Sequence, residues 1–323
     1  DVRLIIQDAF FVFKPYLFLF IPMLTCSSKS ANKVFDTIFR DSRIMLVLIA
    51  FVGILDFLSL VYLKNYGIYS FFAAISLDLG MWTILFIAVI FLKKDSKRWL
   101  YYLCAILVIW FVDSGLATLC VLMLPLVWYF WETKKKLKWY YLVLLIPIGI
   151  FIARGEIEEY LINSNAVRNI LPYYAIQTAN NCFPLGGGFG TYGGNTAMNH
   201  YSVLYKKYGF EHIYGMSSDE SFFLMDSYYP LVIGQFGYLG CLCFMVLFLF
   251  IIKRLILNTN DVQNRCWGVF LYGSLLIAGL GFGTSSNWGC CVYFIIALLY
   301  KVNSQNFYRI KDDNRYSYIP YNV

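Results

Sequence analysis

Long apolar runs separated by short polar links set the pattern of this chain. The runs cover about 9–25, 44–63, 71–92, 99–113, 115–131, 139–153, 228–252, 266–283 and 289–302. A membrane helix needs roughly 17–25 apolar residues. The pattern therefore predicts an all-α polytopic membrane protein of about nine transmembrane helices, with one large extracytoplasmic loop. The stretch 99–131 must hold two helices in little length; a hairpin there that dips in and returns leaves the rest of the topology unchanged.

The links decide orientation. Basic residues cluster at Lys29, Lys33, Arg40 and Arg43, at Lys93, Lys94, Lys97 and Arg98, and at Lys134, Lys135, Lys136 and Lys138. Two more clusters are Lys253, Arg254 and Arg265, then Lys301, Arg309, Lys311 and Arg315. Counting spans puts all five on one side, and the positive-inside bias makes that side the cytoplasm. Asp1 and the long polar stretch 154–227 then lie outside. Four parts follow: 1–153 with about six helices, 154–227 as an extracytoplasmic cap, 228–302 with about three helices, and 303–323 as a cytoplasmic tail. A start at Asp1 fits a longer membrane protein whose N-terminus precedes this piece. The loop is rich in Tyr, Phe, Gly and Ile, which argues for a folded cap with short helices, for example over 157–180.

Composition agrees. The chain of 323 residues is 60% apolar, 20% aromatic and only 14% charged, against about 25% charged for a soluble domain. Its net charge of +7 is spent on topology signals, with no basic face interleaved with aromatics, so no nucleic-acid partner is expected. The nine cysteines fall mostly in apolar runs, and only Cys182 is external. Neither a disulfide framework nor a zinc site follows from such spacing.

Candidate chemistry concentrates in the loop. Residues 183–194 read Phe-Pro-Leu-Gly-Gly-Gly-Phe-Gly-Thr-Tyr-Gly-Gly. Gly188, Gly190 and Gly193 satisfy G-x-G-x-x-G, but no βαβ unit surrounds them. Successive glycine N–H groups at Gly186, Gly187, Gly188 and Gly190 can form an anion nest beside Tyr192; a plain flexible turn is the alternative. Arg168 precedes the turn in a helical segment, and Arg154 lies just outside a span. A guanidinium grips phosphate bidentately, although Arg154 equally suits snorkelling. Asp219, Glu220 and Asp226 lead back toward the membrane; Asp226 is the preferred site carboxylate, and a helix cap is its other reading. His200 and His212 lack metal-ligand spacing, so neither a metal nor a cofactor is expected. Within the spans sit Lys14, Asp56 and Asp78, read either as a structural Lys–Asp pair or as the floor of an outward-facing site.

Three segments in order carry a family resemblance: 183–194 after an arginine-bearing helix, then Tyr201-Ser-Val-Leu-Tyr-Lys-Lys-Tyr-Gly209, then Asp226-Ser-Tyr-Tyr-Pro-Leu-Val-Ile-Gly-Gln-Phe-Gly-Tyr-Leu-Gly240. Over 160–240 the chain resembles the Wzy-type polysaccharide polymerases, in the broader group with O-antigen ligases. The resemblance implies a GT-C-like fold in a bacterial cytoplasmic membrane. It implies transfer of undecaprenyl-pyrophosphate-linked glycan to build O-antigen or capsule, with a chain-length regulator and a flippase as further partners. Carried over, Arg168 is the pyrophosphate arginine and Asp226 a site carboxylate. Arg154, the four glycines, Tyr192, His200, Tyr201, Asp219 and Glu220 are the substrate-contact candidates. Family members often carry an arginine near the outer tip of the hairpin, where this chain has Asp113-Ser114-Gly115. An O-antigen ligase and, in a different class, a polysaccharide flippase are the competing readings; no internal repeat supports the flippase.

Overall fold

The computed structural model describes residues 2–57, 76–112, 114–133, 167–225, 228–257, 262–280 and 286–316. Among these residues the secondary structure is helical, with no strand. The long elements are α1 (Val2–Thr25), α2 (Ser28–Phe57), α3 (Ser76–Leu92), α4 (Arg98–Val112) and α5 (Gly115–Thr133). A cap follows, with α6 (Val167–Asn181), α7 (Asn195–Asn199), α8 (Val203–Lys207) and a 3₁₀ turn (Phe210–His212). The chain closes with α9 (Tyr228–Phe250, continued by a π-turn, Ile251–Leu257), α10 (Val262–Ala278) and α11 (Asn287–Tyr316). The expected apolar segment 139–153 lies outside the described residues, as does 157–166 of the expected cap helix.

Two helices, Val2–Thr25 and Tyr228–Leu257, are long and apolar enough to cross a membrane; Asp78–Leu92, Arg98–Val112, Ala117–Tyr129 and Asn287–Val302 are shorter apolar helices. The expected single span over 228–252 is corrected by the geometry. Gly237 has φ +60° and ψ −158°, a conformation no helix contains and that is essentially confined to glycine. The rings of Tyr228 and Phe244 lie 6.3 Å apart, whereas sixteen residues of unbroken helix would separate them by about 24 Å. Thus α9 is a hairpin: a short first arm, 228–236, turns at Gly237 and runs back as the second arm. From 238 to the end of the π-turn this second arm is about 30 Å long, enough for a bilayer core by itself. Hydropathy could not reveal the reversal, because both arms are apolar.

α10 fixes the two ends of the bundle. At its start Gln263 Nε2 donates to the Leu92 carbonyl at 2.6 Å. At its end the Gly279 carbonyl accepts from the Tyr228 N–H at 3.0 Å. Near Leu92 gather the basic links: Lys93 pairs with Asp36 at 2.6 Å, Arg43 with Asp95 at 3.2 Å, and Ile256 of the π-turn packs on Gly268. The cap adjoins the opposite end, about 25 Å away along the axis of α10. Between the ends lies a core that includes Leu46, Ile87, Phe91, Trp267, Tyr272 and Trp288.

Candidate functional site

The cap is built on aromatic packing. Tyr205 stacks on Phe210 with centroids 5.4 Å apart, and Tyr174 on Tyr208 at 4.5 Å. These rings pack with Leu171, Tyr192 and Met216 in a core separate from the bundle. Ser202 caps α8 by accepting from the Leu204 N–H. Gly209, in the left-handed region at φ +72°, lets the chain turn from α8 into the 3₁₀ turn.

The glycine turn, 183–194, docks this cap on the α9 reversal. An unbroken helix would bond the carbonyls of Gly234 and Gln235 to the N–H groups of Tyr238 and Leu239. Instead Gly187 and Gly188 donate to those two carbonyls, each at 2.8 Å, while the Leu239 N–H donates to the Pro184 carbonyl at 3.2 Å. The turn thus completes the hydrogen bonds that the break in α9 would otherwise leave unmade, as a buried backbone requires. The backbones meet closely: a Cβ on Gly237 would lie 2.6 Å from the Pro184 oxygen.

Asp8 and Gln235, both fully buried, hold the other side of the turn. Asp8 Oδ2 accepts from the Gly190 N–H at 2.9 Å, and Gln235 Nε2 donates to the Tyr192 carbonyl at 2.8 Å. The Gln235 and Thr196 side chains adjoin the Asp8 carboxylate, and Gln235 Oε1 has no hydrogen-bond donor among the described residues. The Gly193 N–H donates to the Tyr205 hydroxyl at 2.7 Å, and the Gly186 N–H to the Cys182 carbonyl at 3.1 Å.

This arrangement revises the anion-nest reading. The N–H groups of Gly186, Gly187, Gly188, Gly190 and Gly193 all donate inside the protein. One of their acceptors is a carboxylate of the chain itself. The turn is a docking device, and as folded these amides are not turned toward a ligand. Pattern reading missed Asp8 because it stands one residue before the first apolar run; a lone carboxylate abutting such a run was the available signal. Gln235, inside an apolar run, gave a weaker one.

The other candidates are dispersed. Tyr192 is buried, with its hydroxyl donating to the Leu171 carbonyl at 2.7 Å, and burial raises its pKa well above the usual tyrosine range. Burial likewise pushes up the Tyr205 hydroxyl. Tyr201 is half-buried and donates to the Met216 carbonyl at 2.9 Å; burial, then the nearby Glu211 carboxylate, raises its pKa. His200 is exposed at the end of α7, and Asp219 and Glu220 are exposed in the chain leading toward α9. Arg168 is the second residue of α6. Its side chain, Arg154 and Asp226 lie outside the described residues.

Of the three ionisable residues expected within the spans, Lys14 and Asp78 do not pair with each other. Lys14 Nζ donates to Asn287 Oδ1 at 3.1 Å, joining α1 to α11. Asp78 is half-buried in the first turn of α3, where the partial positive charge of a helix start favours a carboxylate. The side chain of Asp56 lies outside the described residues.

Beneath the docked turn is a cavity of about 410 Å³ between α1, α9, α10 and α11. Five tyrosines, Tyr16, Tyr228, Tyr229, Tyr272 and Tyr293, line it with Phe244 and other apolar side chains. Residues of both arms of α9 line it, so its walls depend on the reversal at Gly237. No known protein family, curated protein or solved structure matches this chain.

Proposed function

We propose that the chain is a membrane glycosyltransferase that polymerises undecaprenyl-pyrophosphate-linked repeat units at the outer face of a bacterial cytoplasmic membrane. The observation that carries this reading is the position of the cap. It is bonded to the end of the bundle farthest from the basic links, directly over a tyrosine-lined cavity. The positive-inside bias assigns the basic end to the cytoplasm, so the cap faces outward, where carrier-linked sugars are presented. The ordered motifs of 183–240 supply the second support.

In this reading Arg168 neutralises the pyrophosphate and Asp226 takes the proton of the acceptor hydroxyl. The acceptor oxygen forms a bond to the anomeric carbon as the bond from that carbon to the pyrophosphate oxygen breaks, and the carrier leaves as its pyrophosphate. Pyrophosphate is a good leaving group, so positioning and charge stabilisation carry the catalysis. The glycine turn supplies a rigid base for α6 rather than an anion cradle.

Complementation of a gene deletion tests the proposal. Wild type restores a long polysaccharide ladder, and Arg168→Ala, at normal protein level, leaves single repeat units. Long chains retained on the carrier lipid mean a ligase; no external repeat unit means a flippase. A full ladder from Arg168→Ala overturns the site. Orientation is read with a membrane-impermeant thiol reagent on Asn195→Cys in a Cys182→Ser background: intact cells stripped of their outer barrier react, and reaction only in inside-out vesicles inverts the topology.

A further inference from the structure

The external segment is not uniformly a water-facing cap. Between Arg168 and Lys206 the chain contains no Asp, Glu, Lys or Arg. Within this uncharged stretch large apolar side chains stand open: Phe183 is 72% and Leu185 63% exposed, and Tyr173 and Ile176 are exposed on α6. Tyr173, Ile176 and Asn180 share one face of α6, at i, i+3 and i+7, and that face leads into Phe183.

The edge is tied to the top of the second arm of α9. The Phe183 and Tyr238 rings are 5.9 Å apart, the Tyr238 hydroxyl donates to Asn180 Oδ1 at 2.6 Å, and the Leu239 N–H donates to Pro184. Down that arm Tyr238, Leu242, Met245 and Leu249 are exposed at helical spacing, forming one apolar stripe on an arm about 30 Å long, enough for a bilayer core. The stripe therefore runs without a break from the membrane arm onto the cap. A stripe that faces acyl chains along the arm does not become water-facing where Phe183 and Leu185 extend it, because no charge intervenes.

We propose that the edge formed by Tyr173, Ile176, Phe183 and Leu185 is seated in the bilayer, with phospholipid acyl chains at the headgroup boundary as its partner. Aromatic rings with a polar tip, such as Tyr173 and Tyr238, favour that depth. Each inserted Phe or Leu side chain contributes roughly a tenfold or greater preference for lipid over water. The charged remainder of the cap, from Lys206 onward, stays in the aqueous phase. The glycine turn is thereby held at the level where any lipid-linked head group emerges.

The test is photocrosslinking in native membranes, with p-benzoylphenylalanine introduced singly at 183 or 185, at 242 as the lipid-side reference, and at 211 as the water-side reference. Phe183, Leu185, Leu242 and Glu211 are all exposed, so the replacements leave the core intact. The expected result is phospholipid adducts, identified by peptide mass, at 183 and 185 in yield comparable to 242 and roughly tenfold above 211. Adducts at 242 with none at 183 and 185 overturn the proposal. So do crosslinks from 183 and 185 to a second copy or another protein in place of lipid. Neither outcome bears on glycosyl transfer, which the polysaccharide ladder reads separately.

Discussion

The two halves of the cap differ in how they are held. The first, from α6 through α7, carries no charge beyond Arg168 and is fastened by backbone bonds to the α9 reversal, by Asp8 and by buried tyrosines. The second, from Lys206 to Met225, carries the cap's described charges on exposed side chains, with local bonds such as Glu220 N–H to Ser217 Oγ. The motifs that drew notice as chemistry, the glycines and Tyr192, belong to the fastened half and mainly serve the docking. A glycine-rich motif beside a break in a helix is thus explained first by the hydrogen bonds the break leaves unmade.

The sharpest break in that comparison is Gly237→Ala. Its backbone conformation costs a residue with Cβ about 1–3 kcal/mol, and the added carbon collides with Pro184 and Gly186 backbone, adding about 1–3 kcal/mol of overpacking. The expected outcome is a cap that detaches: limited proteolysis cuts within 183–194 in detergent, where wild type resists. Asp8→Ala comes next. It leaves the half-buried Gly190 N–H without an acceptor, at about 1–3 kcal/mol, read as a lower melting temperature and faster cleavage of the same turn. Asp8→Asn keeps an acceptor oxygen and is expected to lose less. Equal resistance of all three to protease would show that the turn does not depend on these bonds.

Part of the bundle was legible because apolar runs of membrane length leave few alternatives: α3, α4 and α5 fall on the runs 71–92, 99–113 and 115–131. By contrast α1 begins at Val2 and α2 at Ser28, carrying the basic residues Lys29 to Arg43 into the helix ahead of the run 44–63. The clustering of basic links at one end was legible for the same reason: Lys93, Arg43 and Lys253 each flank such a run. The hairpin in α9 was not, since Gly237 is one of several glycines in an apolar stretch and its left-handed φ depends on partners some fifty residues earlier. Asp8 was equally hidden, because its partner Gly190 is distant in sequence and only tertiary packing joins them. Lys14, half-buried within the first run, suggested a carboxylate partner; among the described residues it donates to the Asn287 amide oxygen at the start of α11.

A smaller effect is expected inside the fastened half. Tyr205→Phe removes the acceptor for the Gly193 N–H, at about 1 kcal/mol. Burial raises the hydroxyl pKa of Tyr205 and Tyr192, so the folded cap keeps protons that an unfolded chain releases near pH 10. The unfolded state then binds fewer protons, and this part of the stability is present below about pH 10 and is lost as pH rises beyond it. Melting temperature measured from pH 7 to 11 is expected to fall at the alkaline end, less steeply in Tyr205→Phe. A flat profile in wild type would mean that these hydroxyls are not held away from water.

The smallest effect belongs to the charged half. Lys207→Gln and Asp219→Asn change exposed side chains whose charges sit in high dielectric, where single surface substitutions are nearly neutral. Both are expected to leave the melting temperature of the cap and the protease resistance of 183–194 unchanged. Equality with the loss in Tyr205→Phe would erase the distinction between the halves, because it would require the charged half to carry part of the docking. A loss of polysaccharide ladder at unchanged stability in Asp219→Asn would sharpen it instead, assigning fastening to one half and substrate contact to the other.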